Sequence, residues 1–300
     1  MPIFRITSNQ IVKRLRWVMV GVIVFSIINT LAGQPESFWL HPETAIRGDG
    51  LSIYNPTNHT FDFFLGLGWQ AYLIMCLIYL SITFLLVSIL PTKAALVTIF
   101  SIVLGHFFGA TNWLAVRWHL GTNSSSIYGI ILSPIIVYSV FPAQSLIPDK
   151  IIKRLFWLMA IAMLSDTINT LVGQPATYWL HPETVHEGNE VSRYFLSHGW
   201  YAYIFRDVIY FLVIYWFVSI LPQKGALICI FYFLLNGFTG ASNWFFYEWR
   251  MGMQTPVIYG IVLSVCIVLI AFSKFNSSQS AWNSTGSNVN NSLTKKESVI

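Results

Sequence analysis

The sequence predicts an all-α, polytopic integral membrane protein with about eight transmembrane helices in a parallel 4+4 internal duplication, both termini on the cytoplasmic side. Three observations predict this: an apolar composition, eight long apolar windows, and a stretch of sequence written twice. Hydrophobic residues make up 55% of the 300-residue chain and charged ones only 10%, whereas a soluble domain carries about 25% charged residues.

Windows long enough to cross a hydrocarbon core about 30 Å thick lie near residues 17–33, 70–90, 94–116, 126–143, 155–173, 201–221, 225–247 and 257–273. Their continuous apolar character excludes the alternation of a β-barrel. In lipid, helices are then the structures that satisfy every backbone N–H and C=O internally.

The repeated stretch reads INTLAGQPESFWLHPET at 28–44 and INTLVGQPATYWLHPET at 168–184, with thirteen of seventeen positions identical. Further on, Gly68-Trp69 matches Gly199-Trp200, and VSILP at 87–91 recurs at 218–222. GATNW at 109–113 matches GASNW at 240–244, and IYGI at 127–130 recurs at 258–261. Each copy therefore holds four spans. An even number points both copies the same way about an axis along the membrane normal, a pattern seen among transporters. The implied divisions are an N-terminal segment 1–16, a first repeat 17–143, a linker 144–154, a second repeat 155–273 and a disordered Ser/Asn-rich tail 274–300.

Orientation follows from the basic residues. With the N-terminus inside, the inner segments hold Arg5, Lys13, Arg14, Arg16, Lys93, Lys150, Lys153, Arg154, Lys224, Lys274, Lys295 and Lys296, twelve of the seventeen. The outer side holds Arg47, Arg117, Arg193, Arg206 and Arg250 and no lysine. The net charge of +5 is thus spent on flanks that face anionic lipid, and it implies no nucleic acid. The expected location is the plasma (inner) membrane, with the lipid bilayer as the chain's first partner. A cleaved leader is the competing reading of Lys13 to Gly33. The internal recurrence of Lys153-Arg154-Leu155 before the same INTL motif argues against it.

The outer loops carry the patterned residues. Glycine ends the first helix of each copy, and the following Gln-Pro turns the chain, because proline lacks the N–H that a helix needs. One reading makes GQPxxxWLHPE a structural cap at the head-group layer. The other places His41 and Glu43, with His181 and Glu183, around a polar site shared by the copies. His186 and Glu187 add to the second copy, but HPETVHE lacks the helical H-E-x-x-H spacing of a zinc site and Pro182 interrupts it, so no metal is assigned.

Four ionisable residues fall inside the spans. Asp166 lies seven residues before Gly173, Arg206 and Asp207 lie six and seven after Trp200, and His106 lies seven before Trp113. At about 1.5 Å per residue they sit roughly 10 Å below the outer interface. Such groups are costly there and either pair or face a water-filled cavity. The other copy has Ser26, Met75, Cys76 and Gly237 at these positions, so the fold does not require the charges. An Arg206–Asp166 pair tying helices together is one expectation, and a proton- or substrate-handling site is the other. Asn169 lies one turn above Asp166 and could extend a polar path outward, while Asn243 follows the helix-packing motif Asn236-xxx-Gly240 by one turn.

Cys76, Cys229 and Cys266 all lie within spans and form no paired motif. Asn58-His59-Thr60 and Asn123-Ser124-Ser125 are glycosylation acceptors only in a host that modifies exported loops.

Asp166-Thr167 near a helix end, followed by Glu187-Gly188-Asn189 in the outer loop and Gly199 before the next helix, resembles small prokaryotic membrane domains of unknown function with an Asp-Thr and Glu-x-Asn-Pro pattern. The likeness covers about forty residues of the second copy. Glu190 stands where that pattern has proline, and the first copy has Ser26 and Arg47-Gly48-Asp49 instead. It implies no activity.

Three function classes remain: transport or binding of a small solute or lipid, an intramembrane enzyme acting on a lipid-linked substrate, and a structural or assembly protein. No Ser-His-Asp arrangement, phosphate loop, haem motif or dinucleotide fingerprint is present, so no cofactor is implied and the reading leans away from catalysis. Transport or binding through an outward-facing polar site is the first expectation.

Overall fold

The computed structural model describes residues 8–46, 59–121, 123–141, 147–249 and 254–272. Eight of its α-helices are long and apolar enough to cross a membrane, which makes the chain a multi-pass integral membrane protein. In chain order the helices are α1 (Ser8–Ala32), α2 (His59–Gly66), α3 (Trp69–Ile89), α4 (Thr92–Arg117), α5 (Asn123–Val140), α6 (Asp149–Val172), α7 (Glu190–Ser197), α8 (Trp200–Ile220), α9 (Gln223–Asn243) and α10 (Gln254–Phe272). The short α2 and α7 precede α3 and α8, and the other eight are the spans.

Local chemistry sets the ends. Leu90-Pro91 and Leu221-Pro222 are extended (ψ between 145° and 150°), which stops one helix and starts the next within two residues. Gly68 and Gly199 cap α3 and α8 at φ +112° and +108°, values that side chains other than glycine's rarely permit.

The GQPxxxWLHPE motif folds into two 3₁₀ turns at each of its occurrences, Glu36–Trp39 and Pro42–Thr44, then Ala176–Trp179 and Pro182–Thr184. Each loop is clamped by its glutamine. Gln34 donates to the Ile46 carbonyl at 3.0 Å and accepts from the Ile46 N–H at 2.8 Å. Gln174 makes the same pair of bonds with His186, both at 2.9 Å. The glycine ahead of each glutamine leaves room for an indole, since a Cβ on Gly33 would overlap Trp113 and one on Gly173 would overlap Trp244. Phe38 and Tyr178 fill the space beneath.

α4 and α9 form the centre and are the most buried spans, while α8 is the least buried. α1 packs along α4, and α6 along α9. The last helix of each set crosses over: α10 lies against α4, and α5 against α9. Phe107, Phe108 and Phe238 seal the middle of the core. Ser125 of α5 donates to the Asn236 side chain of α9 at 2.9 Å, pinning one crossover. α3 and α8 stay on the periphery with their apolar faces outward, as lipid-facing helices do.

Two helices run past the apolar windows: α1 begins at Ser8 and α6 at Asp149, so Lys13 to Arg16 and Lys150 to Arg154 ride on helical turns. The apolar windows end where charge begins, but a helix does not: its backbone bonds continue, and Pro148 supplies the start of α6. The tail 274–300, Arg47-Gly48-Asp49, Asn58 and Arg250 lie outside the described residues.

Candidate functional site

The second half gathers its charged residues where α6, α7 and α8 meet. On α8, the Arg206 Nε donates to Asp207 Oδ1 at 2.9 Å, and a second guanidinium nitrogen reaches the same oxygen. The remaining arm donates to Ser192 Oγ of α7 at 2.8 Å, and the guanidinium lies 4.3 Å from the Tyr203 ring centre. Asp207 Oδ2 accepts from Thr167 Oγ1 of α6 at 2.7 Å. Both members of the ion pair are about one-fifth exposed. One chain of bonds thus ties three helices together.

Arg206 therefore pairs with its neighbour Asp207, correcting the expected Arg206–Asp166 bridge. The reason is local: Tyr203, one turn earlier, supports the guanidinium over the α8 surface, and α7 offers the Ser192 hydroxyl from above. Asp166 sits apart on α6, against the backbone of α9 at Gly240, where a Cβ would overlap its carboxylate. Its charged surroundings are Glu187, Asp207 and Arg206.

Glu187 joins this group from the loop before α7. Burial pushes its carboxyl up from the ordinary value, opposed by the Asn189 N–H, which it accepts at 2.8 Å, and by Arg206 and Arg193. The His186 backbone is the partner of the Gln174 clamp.

One turn further along α6 from Asp166, and at the end of α9, lie buried polar atoms that have no partner. Asn169 is 5% exposed with a free Nδ2, Ser242 is 0% exposed with a free Oγ, and the Asn243 Oδ1 is buried and free. Asp166, Asn169 and Thr170 on α6, with Gly173 just after it, fall at helical spacing on one stripe, where Asp166 meets Gly240 of α9 and Gly173 meets Trp244 just beyond it. Beyond Asn243 the helix opens into a π turn, Trp244–Glu248. Such turns recur at functional sites.

The first half is built differently at the same places. Asn29 donates to the Ala110 carbonyl at 3.4 Å and accepts from the Trp118 indole N–H at 2.8 Å. Arg117 donates to the Gly33 carbonyl, and α4 runs as α-helix through that residue. The aligned position in the second half is Glu248, inside the π turn, and Trp249 rests on Phe245, 5.6 Å between ring centres, leaving Asn169 without its indole. Tyr72 and Cys76 are buried in an apolar cluster where the second half has Tyr203 and Asp207.

The remaining sequence candidates divide. His106 of α4 stays in the first half, 3.4 Å from the Tyr79 hydroxyl, and does not join the second-half group. His41–Glu43 and His181–Glu183 each pair at 3.2 Å within their own loop, with side chains largely exposed, so the structure brings together no site shared between them. Among the described residues no three His, Cys, Asp or Glu side chains are grouped to hold a metal ion.

Neither family models, nor curated proteins, nor solved structures give a match to this chain.

Sequence reasoning missed the parts played by Thr167, Ser192, Tyr203 and Gly240. Thr167 follows Asp166 in the Asp-Thr pair, and the Gly109/Gly240 match marked a position without a side chain, which is the signal for a close approach. Nothing in the sequence distinguished Ser192 from any loop serine.

Proposed function

We propose that this chain is an outward-facing binding or transport protein for a small solute or lipid, its site formed by Asp166, Glu187, Arg206 and Asp207 of the second half. The observation that carries this is asymmetry. Two similar stretches of sequence occupy similar places, yet one copy is closed by Trp118, Asn29 and Arg117 while the other keeps ionisable groups and unpartnered amides at the same depth. A group that the fold does not need, held where it is costly, is a functional-site hypothesis by default.

The same reading takes the chain as a parallel 4+4 duplication with cytoplasmic termini in the plasma (inner) membrane. The basic flanks support the orientation, and the matched clamps of Gln34 and Gln174 support the duplication. The stretch that resembles small prokaryotic membrane domains is the one that supplies Asp166 and Glu187.

The test is water access from the outer side. With Cys76, Cys229 and Cys266 replaced by serine, Thr167→Cys in intact cells is expected to react with a membrane-impermeant maleimide, and Ser264→Cys, at a fully buried position, is not. A Thr167→Cys variant that folds but stays unreactive, or that is labelled only in inside-out vesicles, overturns the proposal.

A further inference from the structure

We infer that Arg16 of α1 and Phe84 of α3 form a binding site for the phosphate of an anionic phospholipid, at the end of the spans that carries the basic flanks. It is separate from the outward-facing site proposed above and does not depend on it.

Arg16 lies deeper than its place in the basic run suggests. Thr92 Oγ1, at the start of α4, donates to the Asn9 side chain at 3.2 Å, which sets the level of the α3–α4 turn against α1. Arg16 is seven residues further along α1, roughly 10 Å inward at about 1.5 Å per residue. Phe84 is six residues before Leu90 at that turn, which gives the same level from the other helix. The two meet there, with the guanidinium carbon 4.9 Å from the Phe84 ring centre. Trp17 packs on the same ring, 6.1 Å between centres, and its indole is largely exposed, as interfacial tryptophans are.

Charge and bonding define the ligand. The Arg16 Nε is buried without a partner, and the guanidinium makes no hydrogen bond or ion pair among the described residues. A cation covered on one face by a ring and left without a counter-ion calls for an anion at its planar edge, where phosphate accepts with two oxygens. At the edge of the hydrocarbon, the phosphate within reach is that of a lipid. Lys13, one turn before Arg16 on the same side of α1 and exposed, adds a second charge. It repels the ammonium of a phosphatidylcholine or phosphatidylethanolamine head group and favours one with net negative charge.

The fold does not require this cation. The matching position 140 residues on is Phe156, which meets Tyr215 edge-on at 5.5 Å, an apolar contact in the place of the Arg16–Phe84 pair. A charge held at this depth where a ring serves for packing has a functional reason to be there.

The experiment uses the full chain in detergent micelles, with native mass spectrometry counting bound lipids as phosphatidylglycerol or phosphatidylcholine of the same chain length is added. The first phosphatidylglycerol is expected to bind at least about fivefold more tightly than phosphatidylcholine, the worth of one charge near the surface. Arg16→Phe is expected to fold and to weaken that first phosphatidylglycerol by at least about tenfold, as loss of bonds to a charged group does. Arg16→Lys, which keeps the charge without the planar fork, is expected to fall between the two. Arg14→Ala removes a charge from another side of α1 and is expected to change nothing.

A folded Arg16→Phe variant that binds phosphatidylglycerol normally, phosphatidylcholine bound as tightly, or the same loss in Arg14→Ala overturns the inference. Should Arg16→Phe fail to fold, Arg16→Lys carries the test, and unchanged affinity in that variant overturns the role of the guanidinium. Glycerol 3-phosphate, the phosphate ester without its chains, separates the sources. It is expected not to displace the lipid, and displacement at equal concentration overturns the lipid in favour of a free phosphate ester.

Discussion

At the scale of single residues, Gly109 and Gly240 occupy matching places and do opposite work. Around Gly240 the Asp166 carboxylate fills the space a Cβ would take, whereas a Cβ on Gly109 meets nothing within 4 Å. Gly240→Ala is expected to push Asp166 off the α9 backbone and cost about 1–3 kcal/mol, the range for forcing atoms into an occupied space. Gly109→Ala is expected to be neutral or to gain up to about 1 kcal/mol from helix propensity. Thermal unfolding of both variants in nanodiscs checks this, and equal shifts would rule out the difference. Asp166 itself was legible in the sequence, because a carboxylate in an apolar window stands out and the matching stretch has Ser26 there. That Arg206 would pair with the adjacent Asp207 and not with Asp166 was not, because the Ser192 and Thr167 hydroxyls that complete the pairing come from other helices.

Among the elements, the loops after α1 and α6 show how a motif can be plain and its purpose hidden. The repetition of GQPxxxWLHPE marked it, and Gly-Gln-Pro predicted a helix end. That the glutamine would bond a backbone twelve residues on could not be read from spacing, because the intervening 3₁₀ turns set the reach. His41, Glu43, His181 and Glu183 drew attention as chemistry, yet solvent holds them. Gln174→Ala is expected to free the His186 N–H and destabilise the loop locally by about 0.5–1.5 kcal/mol, the net worth of an ordinary hydrogen bond. Hydrogen exchange should then accelerate at His186 and little elsewhere, and Gln34→Ala should act likewise at Ile46. Unchanged exchange would show that the 3₁₀ turns hold themselves.

For the whole molecule, the eight spans were readable from length and apolarity alone, but their neighbours were not, since apolar helices in lipid carry no label of the helix they touch. The structure answers with a crossover: α10 completes the surroundings of α4, and α5 those of α9. Residues 1–146 and 147–300, produced together as separate chains, are expected to copurify, because both of those packings span the break. Residues 1–146 alone are expected to self-associate through α5 and the uncovered face of α4. A monodisperse monomer from that fragment would contradict this.

The crossover also has a clock in it. A ribosome makes α4 long before α10, so the middle of the protein stands incomplete while the four spans between them are threaded into the bilayer. During that interval the face of α4 around Leu104 must be held by lipid or by the insertion machinery, and a chain stalled short of residue 254 presents cellular surveillance with an open flank. The final span does not merely finish the chain; its arrival is the event that closes the core.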